Sequence, residues 1–449
     1  MFHPQQSFFL VPFSRRNSPA DARERMRIRS KSPILFNILI MRVAFCNLGC
    51  RMNRFDTDML RSGFMGKGYE VVGFEEVADV YVINTCTVTV GGDRASRQAI
   101  YRAKRKNPNA VVVVTGCYAQ VKPEELGKLE EVDLVVGNTH KGELLKLVGE
   151  FLENREKRVI VGEIFRQREF WGFDTLLYFE GCRPFLKVQE GCNKFCTFCV
   201  IPYARGKVRS APRDRVIRHV QALAERGFKE IVLSGTQLSQ YGWDIGSSLY
   251  ELLLDILKVK GIEIIRLSSM HVAELDHRLL DLIVSEDRIA PHFHLSLQSA
   301  SDRVLKLMER GYTAGEFEEI VGYILSRRGN TAIGTDIIAG FPTESEKDFE
   351  ETLTFVERVP FAYLHVFPYS DRPFTKASSL KPKVPEAVKK ERVKLLLEVD
   401  ERKREEFRRK NVGKRLRAIV LGNGKALTEN YLEVEVKGRT PGELIEVVL

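Results

Sequence analysis

The stretch "KVQEGCNKFCTFCVIPYARG", Lys187 to Gly206, sets Cys192, Cys196 and Cys199 in a Cys-x-x-x-Cys-x-x-Cys pattern. Without an export signal, thiols at that spacing read as metal ligands or buried groups rather than a disulfide framework. A closed zinc site needs a fourth ligand, ordinarily Cys or His, and the next histidine, His219, falls on a predicted helix. A cubane iron–sulfur cluster also takes four ligands. Three thiolates leave one iron open to a small molecule. Three further cysteines share one local context: each follows an apolar strand-like run, Cys50 in "NLGC", Cys86 in "INTC" and Cys117 in "VTGC". They are 36 and 31 residues apart. Open parallel sheets keep functional groups beyond the carboxyl ends of their strands, so these thiols could converge on one edge. The repetition favours a second metal site over three unrelated core cysteines, the ordinary role of a free thiol. Cys46 lies inside its run and reads as core, and Cys182 has no evident partner.

The chain that must position these thiols has 449 residues, enough for two or three domains. It is 44% hydrophobic and 29% charged, a globular composition, and its net charge of +10 suits a polyanionic partner. No run is long enough to span a bilayer, and "PILFNILI" is too short and lacks a cleavage site, so a cytoplasmic protein without a membrane partner is expected. Residues 1–40 are basic, Ser/Pro-containing and aperiodic, and read as a disordered extension or a mis-assigned start, with an RNA-binding arm or transit peptide as alternatives. Residues 41–145 alternate short apolar runs with helical stretches, which predicts a parallel α/β sheet. Residues 146–179 read as a linker. Residues 180–410 hold six strand–helix units, from "FLKVQEG" to "YLHVFPYS", which predicts an incomplete (β/α)6 barrel. The cysteine triplet then occupies the loop after the first barrel strand.

The triplet, with Phe198 just before its last thiol, resembles the signature of radical S-adenosylmethionine (SAM) enzymes. The resemblance implies a [4Fe-4S] cluster, SAM chelated at the open iron, and one-electron cleavage to a 5′-deoxyadenosyl radical. After Met41 the likeness narrows. "GCRMNRFDTD", "INTCTV" and "GCYAQ" are similar to the amino-terminal domain of methylthiotransferases, which implies a second [4Fe-4S] cluster on Cys50, Cys86 and Cys117. "LSGTQLSQYG", "LSLQSASDRVLKLMERGYT" and "TDIIAGFPTE" resemble that family's barrel loops, and "NVGKRLRAIVLG" resembles a TRAM domain, a small RNA-holding β-barrel, over residues 411–449. The fold expected is α/β: a parallel-sheet cluster domain, a partial (β/α)6 radical SAM barrel and a short TRAM-like β-barrel. The implied reaction replaces an aromatic C–H by C–S–CH3 and uses two SAM per turnover, one for the methyl group and one for the radical. Its implied partners are tRNA, an electron donor and a sulfur source.

Three substrate classes exist in the family. "YLHVFPYSDRPFTKAS" looks most like the type that acts on N6-threonylcarbamoyladenosine at position 37 of tRNA, beside the anticodon. Arg51-Met52-Asn53 stands where the ribosomal-protein type shows Pro-Lys-Asn. N6-isopentenyladenosine in tRNA and an aspartate of a ribosomal protein are the alternatives, and an iron–sulfur RNA-binding protein is the non-enzyme reading. Two positions depart from the threonylcarbamoyl pattern: Pro373-Phe374, where Gly is usual before the Thr, and Ala211, where Arg is common.

Single residues follow. Gly235 and Thr236 stand where the superfamily often has a Gly-Gly-Glu run against the methionyl amino group; a plain strand-ending turn is the alternative. Ser296 and Gln298, two apart, share a face of a regular strand and suit ribose or carboxylate contact, or an interior polar pair. Asp336 and Gly340 are expected at the adenine end, Gly because it lets a ligand approach the backbone. Arg205, Arg209 and Arg372 are candidates for the threonylcarbamoyl carboxylate, which is costly to bury unpaired. His292, His294 and His365 read as satisfied core groups. Arg94, Arg97, Arg102, Lys104, Arg105 and Lys106 fall on one predicted helix, and residues 389–417 carry thirteen Lys/Arg against six acids. Such runs are usually solvated surface. Flanking an active face, they would grip RNA phosphates from two sides.

Overall fold

Apolar runs of three to six residues, flanked by helical stretches, build the first sheet of this computed structural model, which describes residues 40–173, 179 and 181–449. The reading of the extension lies outside the described residues. Strands β1 (Arg42–Asn47), β2 (Glu70–Val72), β3 (Val80–Thr85), β4 (Val111–Gly116), β5 (Leu134–Val136) and β6 (Arg158–Ile160) run parallel in the order β2-β1-β3-β4-β5-β6. Every residue of β3 and β4 is buried, as befits parallel strands covered on both faces. Because β1, β3 and β4 are neighbours, the three cysteines that follow them share one sheet edge.

Residues 146–179 are not simply a linker. The helix Leu144–Asn154 buries Leu144, Leu147, Val148 and Phe151 against the sheet. Strand β6 then pairs with β5 from Leu134↔Arg158 to Val136↔Ile160. Three residues with little alternation are too short a pattern to separate from loop in sequence.

The barrel strands β7 (Phe185–Glu190), β9 (Glu230–Gly235), β10 (Ile264–Leu267), β11 (His292–His294), β12 (Ala332–Ala339) and β13 (Tyr363–Pro368) are parallel. Single bridges, Ile265↔Ile289 and Met270↔Leu295, join the halves. The two-residue β8 (Arg209–Ser210) adds antiparallel to β7. Helices between the strands seal the outer face; those at Ala314–Arg327 and Glu346–Arg358 begin with capping boxes, Thr313 with Glu316 and Ser345 with Asp348. With a side-chain period of two, the inner face is laid out in register: Gly334 beside Tyr363, Asp336 beside His365, Ile338 beside Phe367.

Strands β14 (Arg415–Val420), β15 (Lys425–Thr428), β16 (Glu433–Glu435) and β17 (Leu444–Val448) form an antiparallel sheet in the order β16-β15-β14-β17, consistent with a small β-barrel. Buried Arg266 fastens it to the barrel: Nε donates to Glu230 (2.8 Å), Nη1 to the Glu429 carbonyl (3.0 Å) and Nη2 to the Thr428 carbonyl (3.2 Å). Tyr431 stacks on His292, ring centroids 3.9 Å apart, and its hydroxyl accepts from Arg51 Nη2 at 3.2 Å. Cys182 belongs to this joint, its Sγ donating to the Val420 carbonyl. No helix among the described residues is long and apolar enough to cross a membrane.

Candidate active site

Each cysteine of the first domain sits where a strand hands over to a helix. Gly49, at φ +100°, makes the first handover possible: a Cβ there would lie 2.8 Å from the Cβ of Cys86. Gly116, at φ +95°, does the same before Cys117, with a Cβ 2.5 Å from Asn84 Oδ1. Burial pushes the Cys86 thiol up to about 12, and nearby Cys117 and Cys50 push it further in the same direction. In the barrel loop, burial raises Cys192 to about 11 and Cys199 to about 12, with Cys196 adding to both. Mutual opposition to ionisation marks thiols that share a site.

All six are free thiols. Neither triad brings its three sulfurs within 4.8 Å of one another, whereas His294, Asp336 and His365 do bring their ligand atoms that close. Three thiols per site suit a cubane that leaves one iron open to a small molecule. Cys192, Cys196 and Cys199 would hold one such cluster; Cys50, Cys86 and Cys117 the other.

The two triads are neighbours. Cys117 packs with Val200, Ala204 and Tyr203, the residues just after Cys199. A cavity of about 240 Å³ lies between their loops, lined by Val88 and Thr89 on one side and Phe198, Cys199, Gln298 and Asp336 on the other. A larger cavity, about 920 Å³, opens between the helix Glu386–Asn411 and the tail sheet and touches no triad cysteine.

Placement of the other candidates is mixed. Thr236 Oγ1 accepts from Gly191 N (3.2 Å) beside the cluster loop, whereas Gly235 answers to packing, a Cβ there lying 2.8 Å from Gln189 Oε1. Ser296 and Gln298 do not share a regular strand face. Strand β11 ends at His294, and Gln298 has φ +80°, which breaks the alternation. Gln298 lines the cavity, and Ser296 Oγ donates to Asp336 Oδ2 (3.2 Å). Asp336 also faces His294 Nε2 (3.0 Å) and His365 Nδ1 (3.4 Å). Burial opposes its ionisation, but the two histidines outweigh burial and hold its carboxyl well below the usual range. Gly340 leaves no room for a ligand: the space of its Cβ is filled by the Lys389 stem, 2.1 Å away. His292 and His294 are buried against the Tyr363 hydroxyl, as core groups should be; His365 is half exposed, because β13 is the last barrel strand.

Two of the three arginines are corrected outright. Arg205 is buried, its guanidinium donating to Glu190 Oε1 (2.5 Å), Asn53 Oδ1 (2.6 Å) and Asp56 Oδ2 (3.2 Å). It also hydrogen-bonds Cys117. Arg209 is buried against Glu190 Oε2 (3.5 Å) and the Lys207 carbonyl. Both bind the chain to itself and are unavailable to a substrate carboxylate. Arg372 is also buried, with Nη2 on Asp93 Oδ2 (2.7 Å), but its Nε and Nη1 have no partner.

The basic face of the helix Val90–Lys106 is largely neutralised: Arg97 pairs with Glu125, Arg102 and Lys106 with Glu75, Lys104 with Asp133. Arg94 and Arg105 stay exposed. His219 is no ligand; its Nδ1 meets the Arg215 carbonyl. One functional residue was missed altogether. Arg310 places Nη1 3.2 Å from Cys196 Sγ, braced by the Ser296 carbonyl and the Tyr312 hydroxyl. It lies within "LSLQSASDRVLKLMERGYT", a stretch whose resemblance to the barrel loops does not by itself single out the arginine.

The partial barrel with its cysteine loop, coupled to a second thiol triad, defines a radical SAM enzyme with two clusters. Residues 42–137 match "Uncharacterized protein family UPF0004" and residues 186–356 match the Radical SAM superfamily. The threonylcarbamoyladenosine tRNA methylthiotransferase MtaB of Aquifex aeolicus is 66% identical over 410 residues, 91% of this chain and all of that protein. MtaB of Bacillus subtilis is 38% identical, over 90% of this chain and 93% of that one. The chain belongs to the MtaB family of tRNA methylthiotransferases. The radical SAM methyltransferase TsrM from Kitasatospora setae shares the fold, with a TM-score of 0.56 at 15% identity over 75% of this chain and 77% of that one.

Proposed function

We propose that this protein methylthiolates C2 of N6-threonylcarbamoyladenosine beside the anticodon of tRNA, in the cytoplasm, drawing on an electron donor and a sulfur source. The observation that carries the reading is a cavity that touches Cys199 of one triad and Val88 and Thr89, just after Cys86 of the other. When bound, the clusters and SAM supply the sulfur, the methyl group and the one-electron chemistry. The chain's own residues position them: Arg310 steadies the Cys196 side, Arg205 the Cys117 side, and Gln298 and Asp336 furnish polar groups at the cavity wall.

The threonylcarbamoyl group brings a carboxylate that the isopentenyl group lacks. Arg372 follows the cavity-lining Ser370 by two residues and has two buried nitrogens unmet. Unpaired buried donors on a cation are costly, and a carboxylate relieves that cost. An apolar substituent would leave it standing, so the site rejects it. The test offers anaerobically reconstituted enzyme both tRNAs in competition and reads the nucleosides by mass spectrometry. The threonylcarbamoyl tRNA should be consumed first; preference for the isopentenyl tRNA would overturn the substrate while leaving the reaction class intact.

A further inference from the structure

The loop after β13 carries a residue that the free protein does not explain. Phe374 has φ +68° and is 62% exposed. The left-handed backbone is unfavourable for any residue with a Cβ and free for glycine. Backbone and hydration thus both favour Gly in the isolated chain, yet Phe is present.

One side of the ring is backed. Tyr203, four residues after Cys199, lies 5.4 Å away at 35°, and it meets Phe165 and Phe195 edge-on at 5.8 and 6.1 Å. The aromatic row runs from the cluster loop to the rim of the active face. Across the rim, Val88 and Val90 are exposed, and Val90 N donates to Ser370 Oγ (3.2 Å), which ties the rim's two sides together. Arg94, one turn into the helix that starts at Val90, is exposed.

From this we infer that Phe374 is a stacking platform for the base next to the modified adenosine in a single-stranded RNA loop, an inference that rests on the substrate reading above. An adenine must leave its stack before its C2 can enter a cavity. Its neighbour then loses a stacking face, and a solvent-facing ring backed by a second ring replaces it. Aromatic side chains hold bases this way whatever the sequence. An exposed ring backed by a second ring offers a planar base a face to stack on.

The experiment uses full-length reconstituted enzyme as wild type, Phe374→Gly and Phe374→Trp. The ligand is an anticodon stem–loop carrying the modified adenosine, with the neighbouring base on each side present or abasic in turn. Phe374→Gly should raise the Kd about tenfold, ~1.4 kcal/mol, while Tm holds or rises because the backbone relaxes. Phe374→Trp should bind as wild type does. Removing the correct neighbouring base should weaken wild type by a similar factor and weaken Phe374→Gly no further. A lowered Tm with unchanged Kd would make Phe374 a packing residue and overturn the inference; so would additive losses in the glycine variant. Failure of wild type to bind any stem–loop would sink the substrate reading and this inference with it, whereas tight and equal binding by wild type and Phe374→Gly would sink the inference alone.

Discussion

Arg310 Nη1 lies 3.2 Å from Cys196 Sγ, and both side chains are buried. Burial alone would favour losing its charge, but Tyr312 and Cys196 outweigh burial and hold the guanidinium fully protonated. A fixed cation at one thiolate favours the reduced, more negative cluster. Arg310→Gln should therefore keep its iron yet lower the potential of the barrel cluster by roughly 65–130 mV, the one-electron equivalent of one charged hydrogen bond. Redox titration followed by electron paramagnetic resonance reads it directly, and an unchanged potential would refute the role.

Cluster stoichiometry separates the triads. Reconstituted protein should hold about eight irons, four per cubane. Changing Cys192, Cys196 and Cys199 together to Ala should leave about half and abolish 5′-deoxyadenosine. The corresponding change at Cys50, Cys86 and Cys117 should also leave half, permit slow SAM cleavage and yield no methylthio product. Methylthio product from that second variant would dismiss the two-cluster mechanism.

The joint between first domain and barrel is ionic and buried: Asp56 accepts from Lys141 and Lys187, both at 2.7 Å, and from Arg205 at 3.2 Å. Removing one member of such a network strands the others, so Arg205→Leu should cost about 3–5 kcal/mol and lower Tm accordingly. Burial opposes ionisation of Glu190, but Lys187, Arg205 and Arg209 overcome it and hold the carboxyl at about 2; Asp56 is likewise lowered. A depressed carboxylate pKa adds stability that is present above the unfolded value, near 4, and disappears as pH falls through the folded one. Denaturant midpoints should thus decline between about pH 4 and pH 2, and less so in Arg205→Leu. A flat profile would contradict the assignment.

Arg372 and Asp93 share an ion pair, so a structural role predicts the same outcome from either change. The substrate reading does not. Arg372→Gln should lose most of the preference for threonylcarbamoyl over isopentenyl tRNA, on the order of tenfold or more. Asp93→Asn, which leaves the cation in place, should retain the preference. Equal discrimination by both variants would remove Arg372 from substrate recognition.

Much of this was legible. The six barrel strands and β1, β3 and β4 announce themselves because each is a short apolar run bounded by helical pattern, and the cysteines fall at the ends of those runs. Arg205 was not legible as a joint. Its acceptors Asn53 and Asp56 lie 152 and 149 residues away, and nothing local distinguishes a buried arginine from one facing RNA. The same holds for the helix Val90–Lys106, whose cations look free until Glu75, Glu125 and Asp133 fold against them. Gly340 failed for the converse reason: glycine signals a close approach without saying whether a ligand or, as here, Lys389 makes it.

Tyr431 and Arg51 touch across 380 residues of chain, and that separation sets a timetable. Synthesis at about 5–20 residues per second delivers Arg51 on the order of 20–80 s before the tyrosine that meets it. Loop closure on that scale is slow relative to any local helix or strand pairing. The stack of Tyr431 on His292 therefore waits on synthesis of the tail sheet, whatever folds before it.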